Sequence, residues 1–526
     1  MYIEMKKATG EQLVAKMPEL GGVIKEASIY AKEEFKVDYR KLGVNGLEVL
    51  HGVAKESGER GLMMQLTSMI NAIKAPKTTK LGSLKAFQAG LTAFLREDAI
   101  DGWLYERDSA GEPMPSLVTE VRYLEPDPRH DRPAQVRLGI CRNRRGEFNE
   151  VDFSFDLGAV QKMTVAEVLA SKGLHKETPE LKAVYQERLE AYLGFRDQHG
   201  KQFVCSGEAY ETEGYRRNAI NARGHKMVND EDLMVKSKYK VRVAEQFWAD
   251  AETEEDKFCL VPMHPCLYMF DLKLHANVWV HVASLKLYVY QPELRDKLVL
   301  PDLHRDLIDV LASDMDVLME DVVGDKSGGS IILCRGKPGL GKTLTAQVWS
   351  EVVGKPLYSV HGGQLGSSAA SVEKSLATIL ERAARWGCVT LIDESDVYIR
   401  RRGDDMEQSA VVAVFLRVLE TFPGLLFLTT NRGSEVDDAI ESRCIALITY
   451  EVPGKGDTKL LWKILSKQFG AELDDKLVDD LVEAFGCLAG RDIKGLVKLA
   501  SKFARKRGAP YSVELFRQCG QFRGVV

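Results

Sequence analysis

The sequence has no long uninterrupted apolar run. Nowhere do about 18 apolar residues follow one another, which is the shortest length expected of a transmembrane helix. The opening residues, MYIEMKKATGEQLVAKMPEL, also lack the apolar core and the small-residue cleavage site of a secretory signal. We therefore expect no association with a membrane and a cytoplasmic location.

Cysteine pairs and a dominant charge are lacking as well. The nine cysteines include no C-x-x-C pair, which is typical of a reducing compartment where thiols stay free. The formal net charge of the 526 residues is −5, so any binding of nucleic acid or anionic lipid must be local. With 45% hydrophobic and 28% charged residues, the composition predicts a globular protein of about three to four domains.

The pattern of apolar residues in the first half of the chain changes near residue 113. Residues 1–112 carry apolar side chains at three- and four-residue spacing, which predicts a helical region. Residues 113–290 contain short alternating runs such as VTEVRYLE, which predict a β-rich domain that selects a partner or substrate. Two later runs rich in aromatic and β-branched residues, FCLVPMHPCLYMFDLKLH and VWVHVASLKLYVY, predict a hairpin. The polar segment 210–243 has no clear period, and a loop or an insertion is expected there.

The segment SIILCRGKPGLGKTLTAQVWSE carries the strongest motif. A buried-type strand over 330–335 leads into a glycine-rich loop and then a helical pattern, and the loop matches GxxxxGK[ST]. Such a loop turns backbone N–H groups toward phosphate oxygens, with Lys342 on the β- and γ-phosphates and the Thr343 hydroxyl on Mg²⁺. A glycine turn before a surface helix is the alternative. The predicted nucleotide-binding residues here are Gly336, Lys337, Pro338, Gly339, Leu340, Gly341, Lys342, Thr343 and Leu344.

A second motif follows about fifty residues later, in WGCVTLIDESDVYIRRRG. Its apolar strand ends in Asp393 and Glu394. Carboxylates at the carboxyl end of a parallel strand suit phosphate chemistry, so we predict that Asp393 organises Mg²⁺ and that Glu394 is the base that polarises the attacking water. The alternative is an acidic strand-to-helix turn that neither binds metal nor takes part in catalysis.

Three further polar residues are candidates for the same site. The strand GLLFLTTNR ends in Asn431, which we predict orients the lytic water. Arg443, in VDDAIESRC, is predicted to neutralise phosphate charge from a neighbouring subunit, with an ion pair to Glu441 or Asp438 as the alternative. Arg491 begins a late helix and is predicted to reach back to the nucleotide.

Together, GKPGLGKT, VTLIDE, LTTN, ESR and GRD resemble the AAA+ ATPases over about residues 299–507, in the AAA-domain type found in bacteria and fungi. The resemblance implies an α/β fold, with a P-loop AAA+ parallel sheet over 291–452 and a small C-terminal helical lid over 453–526. An α+β N-terminal region precedes them. It also implies ATP and Mg²⁺ as ligands, homo-oligomeric rings that are commonly hexamers, and ATP-driven remodelling of a macromolecular partner.

The chain departs from that family pattern in two places. Cys444, Ile445 and Ala446 follow Arg443 where family members carry a second arginine. Leu365 with Gly366 stands where an aromatic residue marks the first central-pore loop, and the charged run 400–405 corresponds to a second pore loop or a solvated helix end. The Leu-Gly pair favours a different class of function, a nucleotide-gated assembly or interaction module.

Two other groups of residues, basic clusters and a set of cysteines and histidines, each allow a functional and a structural interpretation. Basic clusters around Arg142, Arg216 and Lys236 interleave with acidic residues, so a protein partner for the N-terminal half is favoured over a nucleic-acid-directed motor, for example in host defence. Five residues of one apolar stretch invite a zinc interpretation, but their spacing fits no common zinc module and core packing is favoured. They are Cys259, His264, Cys266, His275 and His281.

Overall fold

The computed structural model describes most of the chain. The described residues are 2–31, 33–74, 81–96, 103–107, 111–130, 132–144, 147–211, 219–231, 262, 265–301, 304–307, 310, 330–402, 405–432 and 436–525. Much of segment 210–243, including Arg216 and Lys236, lies outside them. Cys259, His264 and residues 403–404 of the charged run 400–405 also lie outside them.

Among these residues the chain alternates helices with short strands. The strands are β1 Tyr2–Lys6, β2 Glu34–Asp38, β3 Trp103–Arg107, β4 Pro113–Leu124, β5 Gln135–Arg144, β6 Glu147–Phe155, β7 His175–Lys176, β8 Gln202–Cys205, β9 Glu208–Glu211, β10 Ala219–Asn221, β11 Lys226–Asn229, β12 Cys266–Asp271, β13 Ala276–His281, β14 Leu285–Leu287, β15 Ser330–Gly336, β16 Leu357–His361, β17 Val389–Asp393, β18 Leu425–Thr430 and β19 Ala446–Tyr450. The helices are α1 Lys7–Lys16, α2 Gly21–Ser28, α3 Tyr39–Glu56, α4 Arg60–Lys74, α5 Leu84–Arg96, α6 Leu157–Val160, α7 Val165–Ser171, α8 Pro179–Arg196, α9 Lys342–Val353, α10 Ala369–Trp386, α11 Met406–Leu419, α12 Asp438–Glu441, α13 Lys455–Gln468, α14 Asp475–Phe485, α15 Gly490–Arg507 and α16 Val513–Arg523.

The first described residues form helices packed around a two-stranded ribbon. The predicted helices occur, but β1 and β2 pair antiparallel beside them, with Met5 opposite Phe35. Phe35 and Val37 are buried while their neighbours face out, and this period of two is too short to stand out in a helical sequence. The stretch 1–112 is therefore mixed rather than helical throughout, since β3 also lies within it.

Two antiparallel sheets follow. Strands β6, β5, β4, β3 and β7 form one sheet, and the other has the order β10-β9-β13-β12-β11-β8-β14. Strands β12 and β13 form the hairpin that the aromatic runs predicted, with Tyr268 opposite Trp279. The order of the second sheet interleaves early and late strands, so its pairing depends on contacts between distant parts of the chain.

A parallel five-stranded sheet carries the phosphate loop. Its order is β16-β17-β18-β15-β19, and every pair in it is parallel. Its central strands are continuous apolar runs because helices cover both faces of the sheet. Trp349 of α9 belongs to the core on one face and Phe415 of α11 to the core on the other. All five strands point the same way, so the polar residues after their carboxyl ends meet at one edge.

A helical subdomain closes the described chain. Helices α13 to α16 pack around Trp462 and Phe516, both fully buried. The apolar residues Ile493, Leu496 and Val497 of α15 are buried in that core. This is the small C-terminal helical lid that the resemblance implies.

The seven-stranded sheet is joined to the parallel domain by buried polar contacts. Asp230 is fully buried and accepts hydrogen bonds from Trp386 Nε1 at 2.8 Å and from Asn277 Nδ2 at 2.8 Å. Glu351, on α9, accepts from Lys226 Nζ at 2.9 Å and from the Tyr288 hydroxyl at 2.7 Å. No helix within the described ranges has the length and apolar character needed to span a membrane.

Candidate functional site

The phosphate-type loop lies between β15 and α9 and is shaped by glycines. Gly339 and Gly341 have φ values of +84° and +104°, a region that favours glycine. A Cβ on Gly339 would lie 2.7 Å from the Arg491 Cβ, so the loop and the lid approach too closely for a larger residue. Arg491 N also donates to the Gly339 carbonyl at 3.3 Å, which brings the first turn of α15 against the loop.

Lys342 is buried at the centre of the loop. Its ammonium donates to the carbonyls of Gly336 at 2.7 Å and Lys337 at 2.9 Å, and to Asn431 Oδ1 at 3.0 Å. Burial lowers the pKa of Lys342 below its usual value, although the nearby Asp393 and Asp396 act in the opposite direction. The Asn431 contact places the end of β18 directly beside the loop.

A carboxylate–hydroxyl cluster forms at Thr343, the residue after Lys342. Thr343 Oγ1 lies 2.9 and 3.1 Å from the two carboxylate oxygens of Asp393 and donates to them. Thr429 Oγ1 donates to the same carboxylate, so strands β17 and β18 are tied together at this point. The sheet therefore brings Lys342, Thr343, Asp393 and Asn431 into one small region, while their chemical roles remain predictions.

Glu394 adopts a backbone conformation that is unusual for a glutamate. Its φ is +55°, and its N–H donates to Thr429 Oγ1 at 3.0 Å. Strained φ values of non-glycine residues persist only where the surroundings hold them, and they cluster at functional sites. A Cβ on Gly362 would lie 2.5 Å from the Glu394 carbonyl oxygen, so glycine at position 362 makes room for this turn.

His361 is the partner of the Glu394 side chain. It ends β16 beside Asp393 of β17, and its Nε2 lies 3.0 Å from Glu394 Oε2. Its Nδ1 accepts a hydrogen bond from Gly363 N, which leaves the proton on Nε2, facing Glu394. Sequence reasoning missed His361, although a polar residue at the end of the strand next to β17 was the signal available.

Asp396 is a second residue that sequence reasoning missed. Its Oδ1 accepts hydrogen bonds from Asn431 N at 3.0 Å and from the Thr430 hydroxyl. Asp396 therefore fixes the end of β18, from which the Asn431 side chain reaches Lys342. It lies two residues after Glu394, so one short turn holds both the predicted base and the support of Asn431.

For the ATPase that the sequence resemblance implies, we expect Asp396→Ala to lower ATP turnover by about 10²-fold, because small displacements of a positioned group have effects of this size. Asp396→Asn keeps an acceptor oxygen at the same place and should recover most of the loss. Steady-state phosphate release measures both variants, with nucleotide affinity expected to stay near that of the unsubstituted chain. A loss of affinity as large as the loss of turnover would contradict a role limited to positioning.

Arg443 lies away from this cluster. Its Nε donates to Glu420 Oε1 at 2.9 Å and its Nη1 to the Ala439 carbonyl at 3.0 Å. The partners considered for an ion pair are engaged elsewhere, Glu441 with Arg335 and Asp438 with Arg401. The structure thus does not bring Arg443 to the phosphate loop of its own chain.

The loop expected to line a central pore is folded inward. Leu365 is fully buried in the core, so its side chain is not presented at the surface. The Tyr398 hydroxyl contacts the carbonyls of Gly362 at 2.9 Å and Gly366 at 2.7 Å and holds this loop against the turn after β17. In the run 400–405, Arg401 pairs with Asp438 and Arg402 with Asp437.

The zinc interpretation gains no support from the described residues. Within those ranges no three His, Cys, Asp or Glu side chains are grouped as metal ligands. Cys266 is buried in the hairpin, and burial lowers the pKa of His281 to about 3. His281 Nδ1 accepts a hydrogen bond from Ala283 N at 3.1 Å, which is the behaviour of a core histidine.

Comparisons with known proteins match the same part of the chain. Residues 332–452 match the AAA family model, described as the ATPase family associated with various cellular activities. An ATP-dependent zinc metalloprotease FtsH of Thermobaculum terrenum is 28% identical over 222 residues, 38% of this chain and 34% of that protein. A katanin p60 ATPase-containing protein of the A-like 1 type from Sorex araneus is 28% identical over 235 residues, 39% of this chain and 47% of that protein. The chain therefore spans less than half the length of these relatives.

One solved structure, that of the FIGL-1 AAA domain in complex with ADP, covers 44% of this chain and 83% of that chain, with 17% identity and a TM-score of 0.36. The family match itself encloses the phosphate loop, Asp393, Glu394 and Asn431. This chain carries a domain of the AAA+ ATPase family.

Proposed function

We propose that the protein is a ring-forming ATPase that couples ATP binding and hydrolysis to remodelling of a macromolecular partner. The observation that carries this proposal is the convergence of Lys342, Thr343, Asp393 and Asn431 within hydrogen-bonding distance. A phosphate-binding cation, a hydroxyl–carboxylate pair and a polar amide are the groups that a nucleoside triphosphate site needs.

The donor set fits Mg²⁺ and a triphosphate. Thr343 and Asp393 offer the hydroxyl and carboxylate oxygens that Mg²⁺ prefers, and they already lie 2.9 Å apart. When bound there, the metal would neutralise phosphate charge in the transition state. Lys342 would exchange its loop carbonyl partners for phosphate oxygens, and the N–H groups of the loop and of α9 would surround the same anion.

Glu394 is placed to act as the base. Its carboxylate is more than half exposed at the edge of the site, where His361 Nε2–H holds one oxygen and leaves the other for water. Glu394 would take a proton from the attacking water, and Asn431 would orient that water from the end of β18. Arg491 would contact the nucleotide from the lid, since its helix begins against Gly339.

We place Arg443 in the active site of a neighbouring subunit of a ring, commonly a hexamer. If so, Arg443→Ala should lower turnover by about 10³-fold or more, since an arginine that stabilises transferring phosphate has effects of this size. Mixing this variant with Glu394→Gln subunits should restore part of the activity, because a junction then joins an intact Glu394 to an intact Arg443. Phosphate release is measured across mixing ratios.

Glu420→Gln is the matched control for that experiment. It breaks the ion pair that Arg443 forms within its own chain and leaves the arginine in place. We expect near-normal turnover for Glu420→Gln. The assignment of Arg443 to a neighbouring site would fail if Glu420→Gln reproduced the full loss, or if no mixture recovered activity.

The N-terminal half is proposed to select the partner. We divide the N-terminal half into a region of residues 1–112 and a β-rich unit of residues 113–290. The ATPase unit, residues 291–452, and the lid, residues 453–526, follow it. The contacts of Asp230 with Trp386 and of Glu351 with Lys226 and Tyr288 support transmission of force between these units. We propose a cytoplasmic location and a protein partner for this half.

The burial of Leu365 favours a second candidate function. A loop held inward by Tyr398 suits a nucleotide-gated interaction module, in which ATP binding sets partner affinity and hydrolysis resets it. Phosphate release with and without a co-purified partner discriminates the two. A remodelling motor should hydrolyse ATP faster with its partner, whereas a gated module should release the partner at an unchanged rate of hydrolysis.

A further inference from the structure

Helix α15 carries an unusual density of positive charge. Its 18 residues include one acid, Asp492, whose carboxylate lies 3.6 Å from Arg523 of α16. The buried face of the helix is apolar, so the basic side chains share the remaining faces. Those basic residues are Arg491, Lys494, Lys498, Lys502, Arg505, Lys506 and Arg507.

Most of these cations have no anionic partner. Within the described part of the chain, no carboxylate lies within ion-pair distance of Lys498, Lys502 or Arg505. Lysines of α13 in the same lid behave differently, since Lys459 pairs with Asp479 at 2.6 Å and Lys463 with Asp475 at 2.7 Å. The local field along α15 is therefore uncompensated, although the whole chain is slightly acidic.

The same face of α15 lines an open groove of about 350 Å³. Phe469 closes one side of it, and Ser501 is among the residues that line it. The Ser501 Oγ atom is buried and has no hydrogen-bond partner among the described residues. Because this atom is shielded from solvent, the polar groups that the groove offers a ligand are the cations of Lys498, Lys502, Arg505 and Lys506.

An aromatic platform borders the basic face. Phe503 of α15 and Phe522 of α16 are stacked, with ring centroids 6.3 Å apart and an interplanar angle of 10°. Arg507 lies over the Phe503 ring at 4.7 Å, and Phe522 is 74% exposed. An exposed aromatic ring beside a row of cations gives a flat surface on which a base can stack.

We propose that this face of the lid binds single-stranded nucleic acid, with the phosphodiester backbone along α15 and a base against Phe522. From Lys494 to Lys506 the helix rises about 18 Å, enough to follow several nucleotides. Oligo-glutamate would match the charge of the row but has no ring to stack on Phe522. This site is distinct from the nucleotide pocket and does not depend on the proposed hydrolysis.

Fluorescence anisotropy of labelled oligo-dT of about 15 nucleotides, titrated with the full chain from about 50 to 200 mM salt, tests the proposal. The variant K498Q/K502Q/R505Q should bind at least about tenfold more weakly, and its salt slope should fall by about two, since each phosphate contact in a single strand contributes about 0.7. Phe522→Ala should weaken binding by about fivefold or more without changing the slope.

K455Q/K459Q/K463Q is the matched control, because it removes three charges from α13 of the same lid. It should bind like the unsubstituted chain, and circular dichroism should show that both triple variants keep their helices. Basal ATP turnover should be unchanged in K498Q/K502Q/R505Q, which separates this site from the proposed hydrolysis. The proposal is overturned by absence of saturable binding at low salt, by equal losses in both triple variants, or by oligo-glutamate competing as well as unlabelled oligo-dT.

Discussion

Glu394→Gln should retain ATP binding and lose about 10²- to 10⁴-fold in turnover, the range typical of removing a general base. Glutamine keeps the size of the side chain and can still accept the His361 Nε2–H, but its amide takes up no proton from water. The φ of +55° at this position strains glutamate and glutamine alike, so the folded state should be equally stable. Phosphate release gives the turnover and calorimetry the affinity.

Glu381→Gln provides the control for that substitution. Glu381 is an exposed acid on α10, so its replacement changes the charge by the same amount away from the site. We expect unchanged turnover and thermal stability. If Glu394→Gln hydrolysed ATP at the rate of the unsubstituted chain, Glu394 would not be the base. The strained backbone at this position would then reflect the geometry of the turn alone.

Lys342→Ala should weaken ATP binding by about 10- to 100-fold, because a charge-assisted hydrogen bond to phosphate is worth about 1.5–3 kcal/mol. Turnover should fall at least as far, since the same ammonium meets charge that develops in the transition state. The variant also leaves Asn431 Oδ1 and two loop carbonyls without their donor, so the loop should lose part of its order. Calorimetry with ATP in the presence of Mg²⁺ measures the effect.

Lys337→Ala is the matched control within the same loop. Lys337 belongs to the predicted nucleotide-binding loop through its backbone, since such a loop contacts phosphate with backbone N–H groups. Its side chain is exposed, so removing it deletes a solvated charge and leaves the backbone of the loop intact. Binding should change by no more than about twofold, in line with other exposed charges. Equal losses in the two variants would show that the overall charge of the loop matters rather than the position of the Lys342 ammonium.

The core of the site could be predicted from the sequence because its geometry follows from strand direction. Parallel strands end at one edge, so the motifs after β15, β17 and β18 had to meet, and Lys342 does contact Asn431. His361 and Asp396 were missed, because a single polar residue at or just after a strand end is a weak signal without distinctive spacing. Their importance depends on side-chain directions that appear once β16 lies beside β17.

The N-terminal half shows the limit of local patterns. The hairpin of β12 and β13 was predicted because its two runs are adjacent and aromatic. The pairing of β8 with both β11 and β14 was not, since it joins residues far apart in the chain and period-two patterns do not specify partners. The ion pair of Arg443 with Glu420 was missed for the same reason, because α11 and the turn after α12 meet only in the fold.

The most direct test of a shared triphosphate site is a structure of the Glu394→Gln variant with ATP and Mg²⁺, determined by electron cryomicroscopy. We predict phosphate density against Lys342 Nζ and the loop amides, with a metal between Thr343 and Asp393 and Arg443 of an adjacent copy facing the γ-phosphate. Nucleotide bound elsewhere, or an empty loop at saturating ATP, would contradict the account.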